Sequence, residues 1–270
     1  MRIYLGPAGV PQSAAKTDTV SGIERVSELK LGAMEVEFVR GVRMSNGLAD
    51  QAGKAARKLG IRLSVHAPYY VNLCNPEVVD ASKLRILDSC ERGHHMGAGV
   101  IVFHPGYYGK LGHPEALGMV KKACIDMSHV LRKKGWNVKL GLEATGKVSQ
   151  FGTIDEILSV CSEVKGCVPV IDWAHIFAKY QGKVDFKKVL SKVISAGYDR
   201  LHTHFSNIEF TDKGEKRHLN IDHRQPDFRK VAKVILGSGL DEITIISESP
   251  ALENDALVMR KELEGLGHKF

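Results

Sequence analysis

The chain alternates from end to end between short runs rich in valine, isoleucine and leucine and longer segments with an amphipathic period. Runs of the first kind are typical of buried parallel strands, and segments of the second kind are typical of the helices that cover them. The alternation occurs eight times in 270 residues, without a linker or a low-complexity tract. It predicts the α/β class and a single domain, residues 1–270, folded as a (β/α)8 TIM barrel rather than an open, doubly wound sheet.

The loop after the first strand, Gly6–Gly9, lacks the Lys-Ser/Thr pair of a phosphate-binding loop, which also argues against a nucleotide-binding open sheet. The predicted strands are Arg2–Gly6, Met34–Val39, Arg62–Ala67, Val100–His104, Lys139–Glu143, Val168–Ile171, Leu201–Phe205 and Glu242–Ile246. Helices are predicted at about Thr17–Leu31, Ser45–Leu59, Pro76–Met96, Pro114–Lys134, Thr153–Val164, Val184–Ser195, Asp227–Leu236 and Glu253–Leu263.

The composition indicates the kind of partner and the compartment. The 38 Lys+Arg against 31 Asp+Glu give a net charge of +7, which favours an anionic partner such as nucleic acid. Five cysteines without Cys-x-x-Cys spacing argue against disulfides and thiolate zinc sites, and favour a reducing cytoplasm. No signal peptide is recognisable, and no apolar run reaches the roughly 20 residues of a membrane span. We therefore expect a cytoplasmic protein that does not act at a membrane.

Ionisable side chains stand at the carboxyl ends of six successive predicted strands. In a TIM barrel these ends form one rim, where functional residues lie. Several buried ionisable groups around one mouth are costly unless they are paired or bind metal, and histidine with carboxylates suits zinc. The candidate ligands are His66, His104, Glu143, Asp172, His175, His204 and Glu248, with His218 in the loop after the seventh strand.

Two of these candidates have alternatives in the sequence itself. Asp172 after a strand is also a common helix N-cap, which would leave His175 as an incidental neighbour. His202 and His204 lie on the same face of the seventh strand, so alternation does not decide which of them is the ligand.

The ordered set of motifs resembles the endonuclease IV family of apurinic/apyrimidinic endonucleases, which are single-domain barrels with a trinuclear zinc cluster. The resemblance spans the third to the eighth strand. The motifs are residues 66–73 (HAPYYVNL), 103–106 (FHPG), 142–145 (LEAT) and 172–178 (DWAHIFA).

The resemblance implies a monomeric zinc-dependent phosphodiesterase that hydrolyses DNA 5′ to abasic sites, with no protein partner. It implies two or three zinc ions, with manganese possible in one site, and a zinc-bound hydroxide as nucleophile. By the resemblance, the first zinc is held by His66, His104 and Glu143; the second by Glu143, as the catalytic bridge, with Asp172, His204 and Glu248; and the third by His175 and His218.

The chain departs from the family at the third zinc. The family's Asp-Arg-His triplet is replaced by Lys216-Arg217-His218, so this site lacks one ligand unless Glu215 or Glu209 supplies it. The early motif of the family is also replaced, by residues 6–11 (GPAGVP). Weaker candidates for DNA contact are Tyr69 and Tyr70, by stacking, and Arg40 and Arg43, by phosphate contact.

Two other functions are open at this point. A sugar isomerase or epimerase of the same superfamily would use Glu143, Asp172, His204 and Glu248 to hold one metal, but would not need the other four candidates. A damaged-DNA binder that has lost cleavage through the change at Lys216 is the second alternative.

Overall fold

Eight parallel strands curl into a nearly closed barrel in the computed structural model, which describes residues 1–270. Around the barrel the order is β1-β10-β7-β6-β5-β4-β3-β2, and two further strands, β8 and β9, form a separate antiparallel hairpin. The predicted (β/α)8 TIM barrel is confirmed. The strands are β1 (Arg2–Pro7), β2 (Ala33–Glu37), β3 (Arg62–His66), β4 (Val100–Phe103), β5 (Lys139–Glu143), β6 (Cys167–Asp172), β7 (Arg200–Phe205), β8 (Asn207–Thr211), β9 (Gly214–Leu219) and β10 (Glu242–Ser247).

Helices cover the outside of the barrel, and most of the apolar core lies between them and the strands. No helix has the length and the apolar character to cross a membrane. The five cysteines are all buried and free of disulfide bonds. The helices are α1 (Thr19–Glu28), α2 (Asn46–Leu59), α3 (Val79–Met96), α4 (His113–Lys134), α5 (Ile154–Glu163), α6 (Trp173–Lys179), α7 (Phe186–Ser195), α8 (Phe228–Leu236) and α9 (Glu253–Gly265).

Three helices begin two or three residues later than predicted, one because a turn precedes it and two because an aspartate caps a later start. The predicted start at Pro76 lies in a turn, where the Asn75 side chain accepts the backbone N–H of Glu77, and α3 begins three residues later. Asp18 and Asp185 are N-caps, so α1 and α7 begin at Thr19 and Phe186, instead of Thr17 and Val184.

The ring closes where β1 meets β2, and this contact depends on a glycine. A Cβ at Gly6 would lie 1.6 Å from the carbonyl oxygen of Ala33. Beyond it, Ala8 bridges Glu35, whose carbonyl accepts the N–H of Gly9 at 2.9 Å. The segment after Gly6, predicted as a loop, therefore continues the strand for one residue and then pairs with β2.

The barrel interior contains a small apolar cluster, Val100, Val102 and Val170, separate from the main core. Buried histidines and carboxylates also lie inside the barrel, and most of them stand near the carboxyl ends of the strands.

Candidate metal centre

All the predicted ligands meet at the carboxyl-terminal rim of the barrel. Seven stand at or just beyond the ends of barrel strands, and His218 reaches the rim from β9 of the hairpin. Three sets of ligand atoms can be distinguished there. In a tetrahedral zinc site with bonds of about 2.0–2.1 Å, ligand atoms are about 3.3 Å apart, which provides a test of each set.

The first set consists of His66, His104 and Glu143. The Nε2 atoms of the two histidines lie 3.1 and 2.9 Å from Oε2 of Glu143. Nδ1 of His66 lies 2.8 Å from the carbonyl oxygen of Ala67, to which it donates, so its Nε2 is free to ligate. These spacings fit one shared ion.

The second set uses the other oxygen of Glu143. Nδ1 of His204 lies 3.3 Å from Oε1 of Glu143, 3.1 Å from Oε1 of Glu248 and 4.0 Å from Oδ2 of Asp172. That Oδ2 atom is buried without any hydrogen-bonding partner. An orphaned carboxylate oxygen beside a histidine nitrogen is what a bound cation would satisfy.

Asp172 combines the two roles that the sequence left open. Its Oδ1 accepts the backbone N–H of His175 at 2.7 Å, which makes it the N-cap of α6. Its Oδ2 faces the second set. The helix cap therefore fixes the carboxylate with one oxygen directed into the site.

His202 and His204 lie at different depths in the barrel. Nε2 of His202 lies 2.9 Å from Oε2 of Glu35, whereas His204 also reaches the rim carboxylates Glu143 and Glu248. The structure thus places at the rim the histidine that the resemblance to endonuclease IV implied.

The third set contains His175 and His218 with two glutamates near them: Glu248, whose Oε2 lies 3.7 Å from Nδ1 of His218, and Glu215. The Nε2 atoms of His175 and His218 lie 3.2 Å apart. Glu215 places Oε2 3.5 Å from Nε2 of His175 and Oε1 3.9 Å from Nε2 of His218. Lys216 points away and binds Glu209 at 2.6 Å, so Glu209 is not available for the set.

A β-bulge explains how Glu215 reaches this position. In the hairpin, Glu209 pairs with Arg217 and Phe210 pairs with Glu215, which leaves Lys216 as the extra residue. Side chains two residues apart share a face of a regular strand, but the extra residue brings Glu215 to the face of His218, three positions away.

The histidines and carboxylates of the three sets shift one another's pKa values. Burial alone would lower the pKa of His66, but its hydrogen bond to Glu143 and the surrounding carboxylates raise that pKa to about 10. Burial alone would raise the pKa of Glu248, but the charge and hydrogen bond of His204 lower it to about 2. Burial raises the pKa of Asp172 to about 6. Without a metal, the cluster therefore holds protons on histidines that face ionised carboxylates.

A cavity of about 560 Å³ opens above the three sets. Of the predicted DNA-contact residues, Tyr69 lines it, whereas Tyr70 packs outside, with the guanidinium of Arg85 5.0 Å from its ring. Arg40 and Arg43 are exposed on the loop after β2 and do not line the cavity.

Sequence reasoning missed several groups of the cavity and its floor. Lys147 and Tyr107 line one side of the cavity, where Nζ of Lys147 donates to the Tyr107 hydroxyl at 3.3 Å. Glu37 lines another part, and its Oε1 is buried without a hydrogen-bonding partner. Glu35 lies below it. The signal for both glutamates was the spacing Glu35-x-Glu37, which places two carboxylates on one face of an otherwise apolar strand.

A sequence model of the xylose isomerase-like TIM barrel family matches residues 23–267. The chain belongs to this family. It is 36% identical to an uncharacterised protein of Methanocaldococcus jannaschii over 271 aligned residues, covering 96% of both chains. It is 28% identical to a probable endonuclease 4 of Mycoplasmopsis synoviae, covering 70% of each. The predicted resemblance to endonuclease IV is thereby confirmed.

Solved structures of the family share the fold. Endonuclease IV from Thermus thermophilus superposes with a TM-score of 0.76 at 21% identity, covering 98% of this chain and 100% of that one. A D-tagatose 3-epimerase-like protein superposes with a TM-score of 0.72 at 19% identity, covering 98% and 96%. At sequence identities this low, the structural similarity shows the barrel fold alone. The reaction has to be inferred from the residues at the rim.

Proposed function

We propose that the protein is a metal-dependent phosphodiesterase that hydrolyses DNA on the 5′ side of abasic sites and acts as a monomer in the cytoplasm. The observation that carries the proposal is the meeting of three histidine–carboxylate sets at one rim. A sugar isomerase or epimerase needs only the second set. His66, His104, His175 and His218 have no role in such an enzyme, whereas a three-metal site uses all four.

The donor sets suit zinc. The first ion would be held by His66, His104 and Glu143, the second by Glu143, Asp172, His204 and Glu248, and the third by His175, His218 and Glu215. When bound, zinc acidifies water toward hydroxide and neutralises phosphodiester oxygens. The third site, with one carboxylate and two imidazoles, also suits manganese.

The side chains of the protein would organise the reaction. Glu143 directs one oxygen to each of the first two sets and would keep their ions at a fixed separation. The Lys147 ammonium at the cavity wall would bind a phosphate next to the scissile one. Tyr69, which lines the cavity beside His66, would stack on an exposed base or sugar. Tyr70, Arg40 and Arg43 are proposed to contact the strand outside the cavity.

The size of the cavity favours a flipped-out substrate. A volume of about 560 Å³ admits a nucleotide but not a duplex, so the target sugar must leave the helix. Extrusion costs least where no base is stacked, which is the case at an abasic site.

A sugar epimerase is the second candidate, and one observation favours it. Glu37 presents a buried carboxyl oxygen without a partner to the cavity, and burial raises the pKa of this carboxyl to about 8, so the group would exchange a hydrogen bond with a sugar hydroxyl. The damaged-DNA binder is less well supported, since it rested on a third site without its carboxylate, and Glu215 supplies one.

One assay with three arms separates the candidates. The zinc-loaded protein is incubated with a duplex that carries a single tetrahydrofuran abasic analogue, and separately with a panel of ketoses. Incision that Glu143→Ala abolishes supports the nuclease, and binding without incision supports the damage binder. Turnover of a ketose without incision supports the epimerase and overturns the proposal.

A further inference from the structure

Glu35 lies inside the barrel, directly below the second set, and connects three strands. Its carboxylate is fully buried. The Ser64 hydroxyl donates to its Oε2 at 2.6 Å, and Nε2 of His202 lies 2.9 Å from the same oxygen. Nε2 of His204 lies 2.9 Å from its Oε1. One carboxylate thus faces two histidines and a hydroxyl.

The hydrogens of this cluster can be assigned from the contacts of His204. Its Nδ1 lies 3.3 Å from Glu143 and 3.1 Å from Glu248, where a ligand needs a lone pair. A neutral ring that ligates through Nδ1 carries its hydrogen on Nε2, which faces Oε1 of Glu35 at 2.9 Å. Both atoms are buried and form no regular hydrogen bond, so each is left facing the other.

Glu35 is better placed as a supporting carboxylate than as a ligand of a further metal. Ser64 and His202 hydrogen-bond its Oε2, whereas its Oε1 forms no regular hydrogen bond and faces Nε2 of His204. A cation between Glu35 and the two histidines would need both Nε2 atoms without hydrogen. His204 would then have to ligate through both nitrogens.

We propose that Glu35 is a positioning residue, which holds His204 as the Nε2–H tautomer and directs its Nδ1 at the second metal. The proposal rests on the metal centre proposed above. A carboxylate behind a ligating histidine fixes the orientation of the ring and increases its basicity, and loss of such a partner typically costs about 10–100-fold in metal affinity. His202 and Ser64 hold the other oxygen and prevent the carboxylate from turning.

The test is the metal affinity of Glu35→Gln, measured by competition between the full-length protein and a chelator, with Co²⁺ absorption as a second readout. The amide cannot accept from both histidines. We expect one metal to bind about 10–100-fold more weakly while the others are unchanged, with an altered Co²⁺ spectrum. Thr203→Val is the matched control, because it removes a buried hydrogen bond of the same strand, to the carbonyl of Thr244, away from the rim.

The outcomes separate the two proposals. A wild-type protein that binds no metal overturns the proposed function and this inference with it. Metal binding that Glu35→Gln leaves unchanged overturns the role of Glu35 alone. If that variant does not fold, a metal-loaded crystal structure of the wild type decides. Metal on Nδ1 of His204 supports the proposal, and metal on Nε2 contradicts it.

Discussion

The Nε2 atoms of His175 and His218 face each other at 3.2 Å. Nδ1 of His175 lies 3.0 Å from the carbonyl oxygen of Ala144, and Nδ1 of His218 lies 3.0 Å from the Ser206 hydroxyl and 3.2 Å from the carbonyl oxygen of Glu248. When each Nδ1 donates to its carbonyl, two Nε2 lone pairs face each other, with Glu215 oxygens 3.5 Å from His175 and 3.9 Å from His218. The arrangement requires a cation or an added proton.

The third metal should depend on Glu215. We expect Glu215→Gln to lower the metal content of the fully loaded protein from three ions to two, measured by elemental analysis after gel filtration. Lys216→Ala is the control, since Lys216 is the adjacent residue and its ammonium binds Glu209 instead. A glutamine variant that retains three ions would show that Glu215 is not a ligand.

Zinc affinity should rise steeply with pH. The pKa of His66 is raised to about 10 in the metal-free protein, so below that pH zinc must displace its proton. Each displaced proton makes the affinity rise about tenfold per pH unit. In competition with a chelator, we expect the zinc affinity to rise at least about tenfold per pH unit between pH 7 and 9. His66→Asn should reduce the slope by one proton, and a flat wild-type profile would refute the coupling.

Lys147 should contribute to DNA binding through charge alone. Lys147→Ala should weaken binding to duplexes of every sequence and lower the salt dependence of the affinity by about one unit of slope. Fluorescence anisotropy at several salt concentrations measures this. Lys133→Ala, an exposed lysine in the last turn of α4, is the control. Equal effects of the two variants would exclude a specific contact at the cavity.

The closure of the barrel should not tolerate a side chain at position 6. Gly6→Ala places a Cβ 1.6 Å from the Ala33 carbonyl, and we expect it to lower the free energy of unfolding by about 3 kcal/mol or more. Gly47→Ala, in α2 with open space around it, should be neutral or stabilising by up to about 1 kcal/mol. Urea denaturation compares the two, and similar stabilities would contradict the role of Gly6.

Much of the fold could be predicted because most barrel strands are short runs rich in apolar residues between turn residues. The hairpin β8–β9 was missed, since its strands are polar and lie over the rim rather than in the core. The starts of α1 and α7, at Thr19 and Phe186, were predicted two residues too early, although the preceding Asp18 and Asp185 are ordinary N-cap residues.

The candidate ligands could be predicted because a barrel converts the ends of six strands into one ring. The contribution of Glu215 could be named only as an alternative, because strand alternation puts residue 216, not 215, on the face of His218. The bulge at Lys216 reverses this, and a bulge has no reliable sequence signature. Glu35 was not predicted as a site residue, because β2 was recognised by its apolar residues and its two glutamates were not considered.

The central claim is hydrolysis at an abasic site, and the ends of the cleaved strand test it most directly. The zinc-loaded protein is incubated with a duplex that carries one tetrahydrofuran analogue, and the products are resolved on a sequencing gel and offered to a polymerase. We expect a single cut 5′ to the analogue, with a 3′-hydroxyl that the polymerase extends, and a rate more than about 100-fold lower in Glu143→Gln. An uncut strand, or an end that the polymerase cannot extend, would contradict the account.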